Sequence, residues 1–441
     1  MNIRLYQRYL FAALSLVYLL PFIQGVIMTV VAKDVMRDLN IGPKEMGILG
    51  ASFLIPYAVS MFLSGMMAVY FGPRRLMTGM FFIAGAGGLL FANAPSLPVA
   101  CVGRALSAIG TAVCLSASFT LFSRWYRAES YARICGLFFC IGGTGAFLGA
   151  GPLALVNAHW GWRSCFFLVA LLTLFYAALV FLTVRDWPPA GSESEMGITP
   201  APRDPVTLAM IWDSVARVSK SLDFWKLSFW FIGVACVYQG FVGLWAVPYL
   251  KDVFAFSDAR AGMTVSMFSL GFIVGNPVLT WFCEKKLKSN RIALGSAGIL
   301  GLAAILPLFL GGDRLNQPAL VVIALVMGMA LNAPNTIVYA SNRNIFGSRQ
   351  AGMTSGVMAG LSQISGAGMQ VLCSSLLAFA QNNAYPVTAS YLLAFSPFIP
   401  CFVLSAVCGF TLTRASDPGQ ISPMSWRIIL KKGPEDSNGA S

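Results

Sequence analysis

The sequence predicts an all-α membrane protein of twelve transmembrane helices in two pseudo-symmetric six-helix bundles. Three observations carry this. The 441 residues are 57% hydrophobic and 11% charged, against about 25% charge in soluble domains, and mean hydropathy is +0.72. Uncharged runs recur along the whole chain at the length of roughly 20 apolar residues that crosses a bilayer core. Short matching segments also return after about 215–220 residues, close to half the chain.

Arg4 and Arg8 precede the first uncharged run, which predicts a helix over 9–32. The run is too long for a signal-peptide core and no small-residue cleavage site follows it, so it reads as a retained span. Helices are predicted next over 46–71 and 75–94, and the breaker Ala94-Pro95-Ser96 separates these from a fourth over 97–124. The fifth and sixth cover 132–157 and 163–184. Trp187 to Pro205 then has the Pro, Gly, Ser and Glu content of a linker. Leu208, Ile211, Trp212, Val215, Val218 and Leu222 follow at helical spacing, with Arg217 and Lys220 off that stripe, as in an amphipathic helix lying on a membrane surface. The second set covers 226–250, 261–283, 291–311 and 317–342, and a final uncharged run of 64 residues divides near Gln381-Asn382-Asn383 into 351–380 and 388–413. The expected organisation is therefore a bundle over 1–187, a linker over 188–224, a second bundle over 225–413 and a polar tail over 414–441.

The net charge of +13 is an orientation signal rather than a nucleic-acid footprint. With the N-terminus cytoplasmic, 22 Lys and Arg fall in cytoplasmic segments and 7 on the other side. The positive-inside rule thus places both termini in the cytoplasm. The ten cysteines lie mostly inside apolar runs and none forms a CxxC pair, and His159 is the only histidine. No residue pattern calls for a cofactor or a metal, and a catalytic constellation is missing, so the chain is not expected to be an enzyme. Compact loops lean toward the inner membrane of a bacterium.

Arg104 stands apart from the other cations. Nineteen uncharged residues follow it, and Ser107, Thr111, Cys114 and Ser118 succeed it at steps of 3, 4, 3 and 4, one side of a helix. A cation in such a span needs a partner or a water-filled path. Asn332, Asn335, Tyr339 and Asn342 form a second polar stripe, and Gln24-Gly25 is echoed by Gln239-Gly240. Each Gln-Gly pair precedes a Lys-Asp-Val at the helix end, Lys33-Asp34-Val35 and Lys251-Asp252-Val253.

Five segments resemble the major facilitator superfamily. Gly65 to Arg75, GMMAVYFGPRR, is similar to that family's GxLaDRxGRR between helices 2 and 3, keeping Gly65, Gly72, Arg74 and Arg75 but with Val69 in the acidic position and Tyr70 in that of an arginine. In the second half Thr280 to Lys286 puts Glu284 at the acidic position, followed by Lys285. Arg104 to Gly110 looks like the fourth-helix RxxxGxG pattern with Ala108 for one glycine, and Gly142 to Pro152 like the fifth-helix Gly/Pro motif. Trp160-Gly161-Trp162-Arg163 resembles the family's lead into helix 6. The resemblance implies a central cavity between helices 1, 4, 7 and 10, and a cytoplasmic latch from the two loop motifs.

The expected function is alternating-access transport of a small solute, an organic anion or polar metabolite, by a monomer in the lipid bilayer with no nucleic-acid partner. The expected binding residues are Gln24, Arg104, Ser107, Thr111, Tyr238, Gln239, Trp245, Asn332, Asn335, Tyr339 and Gln363. Gly65, Gly72, Arg74, Arg75, Glu284 and Lys285 are the expected latch. The predicted span interiors hold no Asp or Glu, which leaves Asp34 and Asp252 as the candidates for handling protons in a proton symport. A transporter-like sensor that binds solute and signals to a partner is the alternative.

Overall fold

The computed structural model describes residues 3–126, 128–189, 218–311, 314–331 and 334–413. The first half holds α1 (Ile3–Asp38), α2 (Pro43–Phe71), α3 (Pro73–Ala92) and α4 (Leu97–Trp125). A helical run over Ala128–Thr183 follows. At 1.5 Å per residue it would be roughly 84 Å long, far more than a bilayer core of about 30 Å. Gly161, with φ 77° and ψ 168°, breaks it. Residues 128–160 are thus α5 and 162–183 are α6, which turns the eleven apolar helical stretches into twelve. The second half holds α7 (Leu222–Phe254), α8 (Asp258–Phe282), α9 (Asn290–Gly311), α10 (Gln317–Phe346), α11 (Thr354–Asn382) and α12 (Val387–Phe410).

Agreement with the predicted spans is close, apart from α1, which extends six residues beyond each predicted end and takes Lys33 and Asp34 into the helix. Most of the predicted linker, including the start of its amphipathic helix, and the tail lie outside the described residues.

Small residues set how the helices meet, as they do where no hydrophobic force drives helices together. Gly145 and Gly149 of α5 sit on the backbone of α1 at Leu19 and Ile23. Gly85 and Gly88 bring α3 onto α6, and Gly298 and Gly301 bring α9 onto α12. The halves touch along three helix pairs. Gly25 of α1 approaches Gly243 of α7, Gly47 and Gly50 of α2 approach Gln370 and Ser374 of α11, and Gly151 of α5 approaches Ser266 of α8. A methyl group on Gly328 of α10 would overlap the Phe268 carbonyl of α8. Gly328→Val is therefore expected to lower the melting temperature in detergent markedly, as overpacking of about 1–3 kcal/mol does. Gly79→Ala, with no atom within 4 Å of the added carbon, is expected to leave it unchanged.

The bundle has a near end, with Ile3 and the α2–α3 turn, and a far end, with the α1–α2 and α7–α8 turns. Bonds between the halves gather toward the far end. Lys33 of α1 pairs with Asp252 of α7. The Val247 N–H donates to Thr29 Oγ1 at 3.1 Å, and Ser266 Oγ donates to the Phe147 carbonyl at 3.3 Å. These bonds tie the two halves together at the far end.

Candidate functional site

Arg104 is the only buried charged side chain among the described residues, at 2% exposure. It sits eight residues into α4 and turns into the first half, away from lipid. Nη1 and Nη2 both donate to the Gln24 carbonyl of α1 at 3.3 Å. Its Cζ lies 4.3 Å from the ring centre of Phe53, 5.9 Å from Phe91 and 5.8 Å from Phe166. Nε has no hydrogen-bond partner. Ring faces offset part of the cost of burying the cation, but no buried carboxylate stands opposite it.

The Gln24-Gly25 carbonyls lie at the crossing of α1 with α7. Here α7 widens from α-helical to π-helical over Tyr238–Trp245, a form of turn often found at functional sites. A carbon placed on Gly243 would lie 2.9 Å from Gln239 Oε1, 3.3 Å from Gln370 Nε2 and 3.6 Å from the Gly25 carbonyl. Gln239 Nε2 donates to Gln363 Oε1 at 2.9 Å, and Gln370 Nε2 donates to the Gln239 carbonyl at 3.0 Å. Five side-chain amide oxygens among the described residues, those of Gln24, Gln239, Gln370, Asn335 and Asn157, are buried with no partner. Buried polar atoms are normally satisfied, so the orphaned oxygens of Gln239 and Gln370, with that of Gln24 next to Gly25, mark the crossing as a place where a ligand or water completes the bonding.

Other predicted residues divide into two groups. Tyr339 is half-buried and packs its ring against Phe231 at 5.9 Å. Tyr238 is half-buried near the start of the π turn. Ser107 and Thr111 face elsewhere. Ser107 Oγ donates to the Ala84 carbonyl of α3 at 3.3 Å and the Gly103 carbonyl at 3.0 Å, and Thr111 Oγ1 donates to the Ser107 carbonyl at 2.8 Å. The Ser107 hydroxyl serves the α3–α4 contact, and that of Thr111 bonds back to a carbonyl of its own helix. Trp245 lies inside the second half, its Nε1 donating to Ser374 Oγ at 3.0 Å. Asn332 lies outside the described residues.

At the near end, Gly72 turns between α2 and α3 with φ 81°, a conformation that favours glycine. The carboxylate absent at Val69 is supplied from far along the chain, because Asp186 Oδ1 accepts from the Arg74 N–H at 2.8 Å and caps α3. Arg74 also donates to the Phe181 carbonyl. Arg124 donates to the Asp186 carbonyl at 3.4 Å and stacks on Trp187 at 4.1 Å. Asp186→Ala is expected to cost about 1 kcal/mol of stability, seen as a lower melting temperature that Asp186→Asn largely restores. Arg75 and Lys285 are exposed. Gly65 lies in α2, and Glu284 lies in a π turn over Cys283–Leu287 with its side chain outside the described set.

At the far end, Asp252 accepts from Lys33 and from the Tyr391 hydroxyl, the latter at 2.6 Å. Asp34 accepts from Asn157 Nδ2 at 2.7 Å and from Arg37 at 3.3 Å. Lys251 pairs with Asp258 within its own half.

Among curated proteins, the chain is 22% identical over 360 residues to a probable sulfoacetate transporter of Cupriavidus necator, covering 78% of this chain and 81% of that one. It is 22% identical over 339 residues to a probable hexose phosphate transport protein of Chlamydia muridarum, covering 72% and 74%. Among solved structures, a bacterial homolog of the human lysosomal transporter Spinster, in an inward-facing and unoccupied conformation, superposes with a TM-score of 0.74 at 18% identity over 95% of this chain and 99% of that one. The profile of the Major Facilitator Superfamily matches residues 10–370. A match across that much of twelve paired helices establishes that this multi-pass membrane protein belongs to the Major Facilitator Superfamily.

Proposed function

We propose that this transporter carries a small organic anion, bound between its halves at the crossing of α1 and α7. One observation carries the reading: Arg104 is the only buried charge among the described residues, with Nε unpaired and no buried acid to balance it. A carboxylate, sulfonate or phosphate matches the planar donor edge of a guanidinium, and the orphaned amides of Gln24, Gln239, Gln370 and Asn335 would bind the polar remainder of the solute. The two relatives described above transport, by their names, a sulfonated acid and hexose phosphates.

In this reading the near end is cytoplasmic, in accord with the excess of Lys and Arg on that side, and the protein is a monomer in a bacterial inner membrane. Residues 1–187 and 225–413 are the two rocking bodies, and the loops at Gly72–Arg75 and Glu284–Lys285 latch the outward-open state. Proton symport drives uptake, with Asp34 and Asp252 as the carboxylates involved.

Uptake into proteoliposomes tests this. Saturable flux of a labelled carboxylate, sulfonate or sugar phosphate, absent for cationic solutes and accelerated by an inward proton gradient, is the expected result. Saturable cation flux would overturn the anion assignment. Tight solute binding without flux would favour the sensor.

A further inference from the structure

Three rings surround the Arg104 guanidinium, and they differ in kind. Phe91 and Phe166 belong to a fixed wall: their centres lie 4.4 Å apart and both meet Trp162 in edge-on contacts. Phe53 is the nearest, at 4.3 Å. It belongs to a small separate cluster with Ala51, Leu54, Ala108 and Ala367, drawn from α2, α4 and α11. It also stacks on Tyr57, with centres 5.7 Å apart and planes 20° from parallel. Phe53 thus links the buried cation to Tyr57, within a cluster that spans both halves.

A ring on the face of a guanidinium leaves the in-plane donors free. In Arg104, Nη1 and Nη2 already serve the Gln24 carbonyl, and Nε is unpaired. The group is therefore held by the Phe53 ring against Cζ and by Gln24 at the Nη edge, and the edge that carries Nε is the one without a partner. We infer that Phe53 is a positioning residue for anion selectivity: its ring holds the Arg104 plane so that the Nε edge meets the solute. The inference rests on the anion reading and deepens it.

Graded fluorination of residue 53 tests it. Mono-, di- and trifluorophenylalanine keep the shape of the ring and weaken its negative face. KM for the transported anion is expected to rise stepwise, with kcat little changed. Phe53→Leu, which fills most of the volume without a ring, is expected to raise KM about 2- to 30-fold, the range of an exposed to a desolvated cation–π contact, and Phe53→Tyr to keep the wild-type KM. Phenylglyoxal modification of Arg104, read by mass spectrometry, is expected to be faster in the Leu variant. That readout needs no substrate, so it tests Phe53 even if the anion reading fails. A wild-type protein that moves no anion would sink the reading alone. Anion flux with KM and modification rate both unmoved across the fluorinated series and in the Leu variant would overturn the role of Phe53, as would a KM that falls.

Discussion

Replacing Arg104 with Ala is expected to abolish saturable anion uptake while leaving the protein folded. In the complex the guanidinium pairs with a desolvated anion, and truncating one member of a buried charged pair costs about 2–5 kcal/mol, a loss of roughly 30- to 5,000-fold in affinity. The folding side has the opposite sign. In the empty protein Arg104 is buried at 2% exposure with Nε unsatisfied, a standing cost that its removal relieves. The melting temperature of Arg104→Ala in detergent is therefore expected to equal or exceed that of the wild type, whereas added substrate stabilises only the wild type. Arg104→Lys keeps the charge but loses the planar fork, so it should recover only a small part of the uptake. Wild-type uptake by Arg104→Ala would show that the arginine is a packing element and that the solute is read by the amides alone.

The helices were legible because a membrane span writes itself as an uncharged run, and the breaks between spans fall at Pro, Gly and charged residues. Arg104 was legible for the same reason, as the one cation within such a run. What periodicity could not supply was direction. Ser107 and Thr111 share a helical side with Arg104, but Ser107 ends against α3 and Thr111 on a carbonyl of its own helix, while the long arginine reaches to the Gln24 carbonyl of α1. A stripe says which residues point together and leaves open which neighbour they meet. Phe53 and Gln370 were weakly marked, one an aromatic residue among many and one a single amide within the eleventh predicted span. Asp186 lies 112 positions from the amide it caps, so the degraded motif at Val69 looked uncompensated. The π-helical turn over Tyr238–Trp245 lies where α7 packs against α1 and α11 and was not legible in the apolar periodicity.

Reversing one charge at the far end is expected to open it. Lys33 and Asp252 carry the single ion pair between the halves among the described residues, and Lys33→Asp would set two carboxylates against each other. The pair itself, with side chains 33% and 27% exposed, contributes only about 0.2–1 kcal/mol. Like charges in contact cost several kcal/mol, and each 1.4 kcal/mol shifts a two-state population about tenfold. Cysteine at Thr29, a fully buried position beside the Val247 amide, reports the opening to an impermeant maleimide added from the far side. Labelling is expected to rise at least tenfold in Lys33→Asp and to return toward the starting rate when Asp252→Lys is added, since the Tyr391 hydroxyl that now donates to Asp252 can accept from a lysine. The internal repeat supplies the control. By symmetry Lys251 should pair with Asp34, but Lys251 pairs with Asp258, and Asp34 is held by Asn157 and Arg37. Lys251→Asp therefore disturbs a contact within one half and is expected to leave the labelling rate unchanged. Equal acceleration by the two reversals would mean that net charge at the far end, rather than the Lys33–Asp252 contact, sets the closed state.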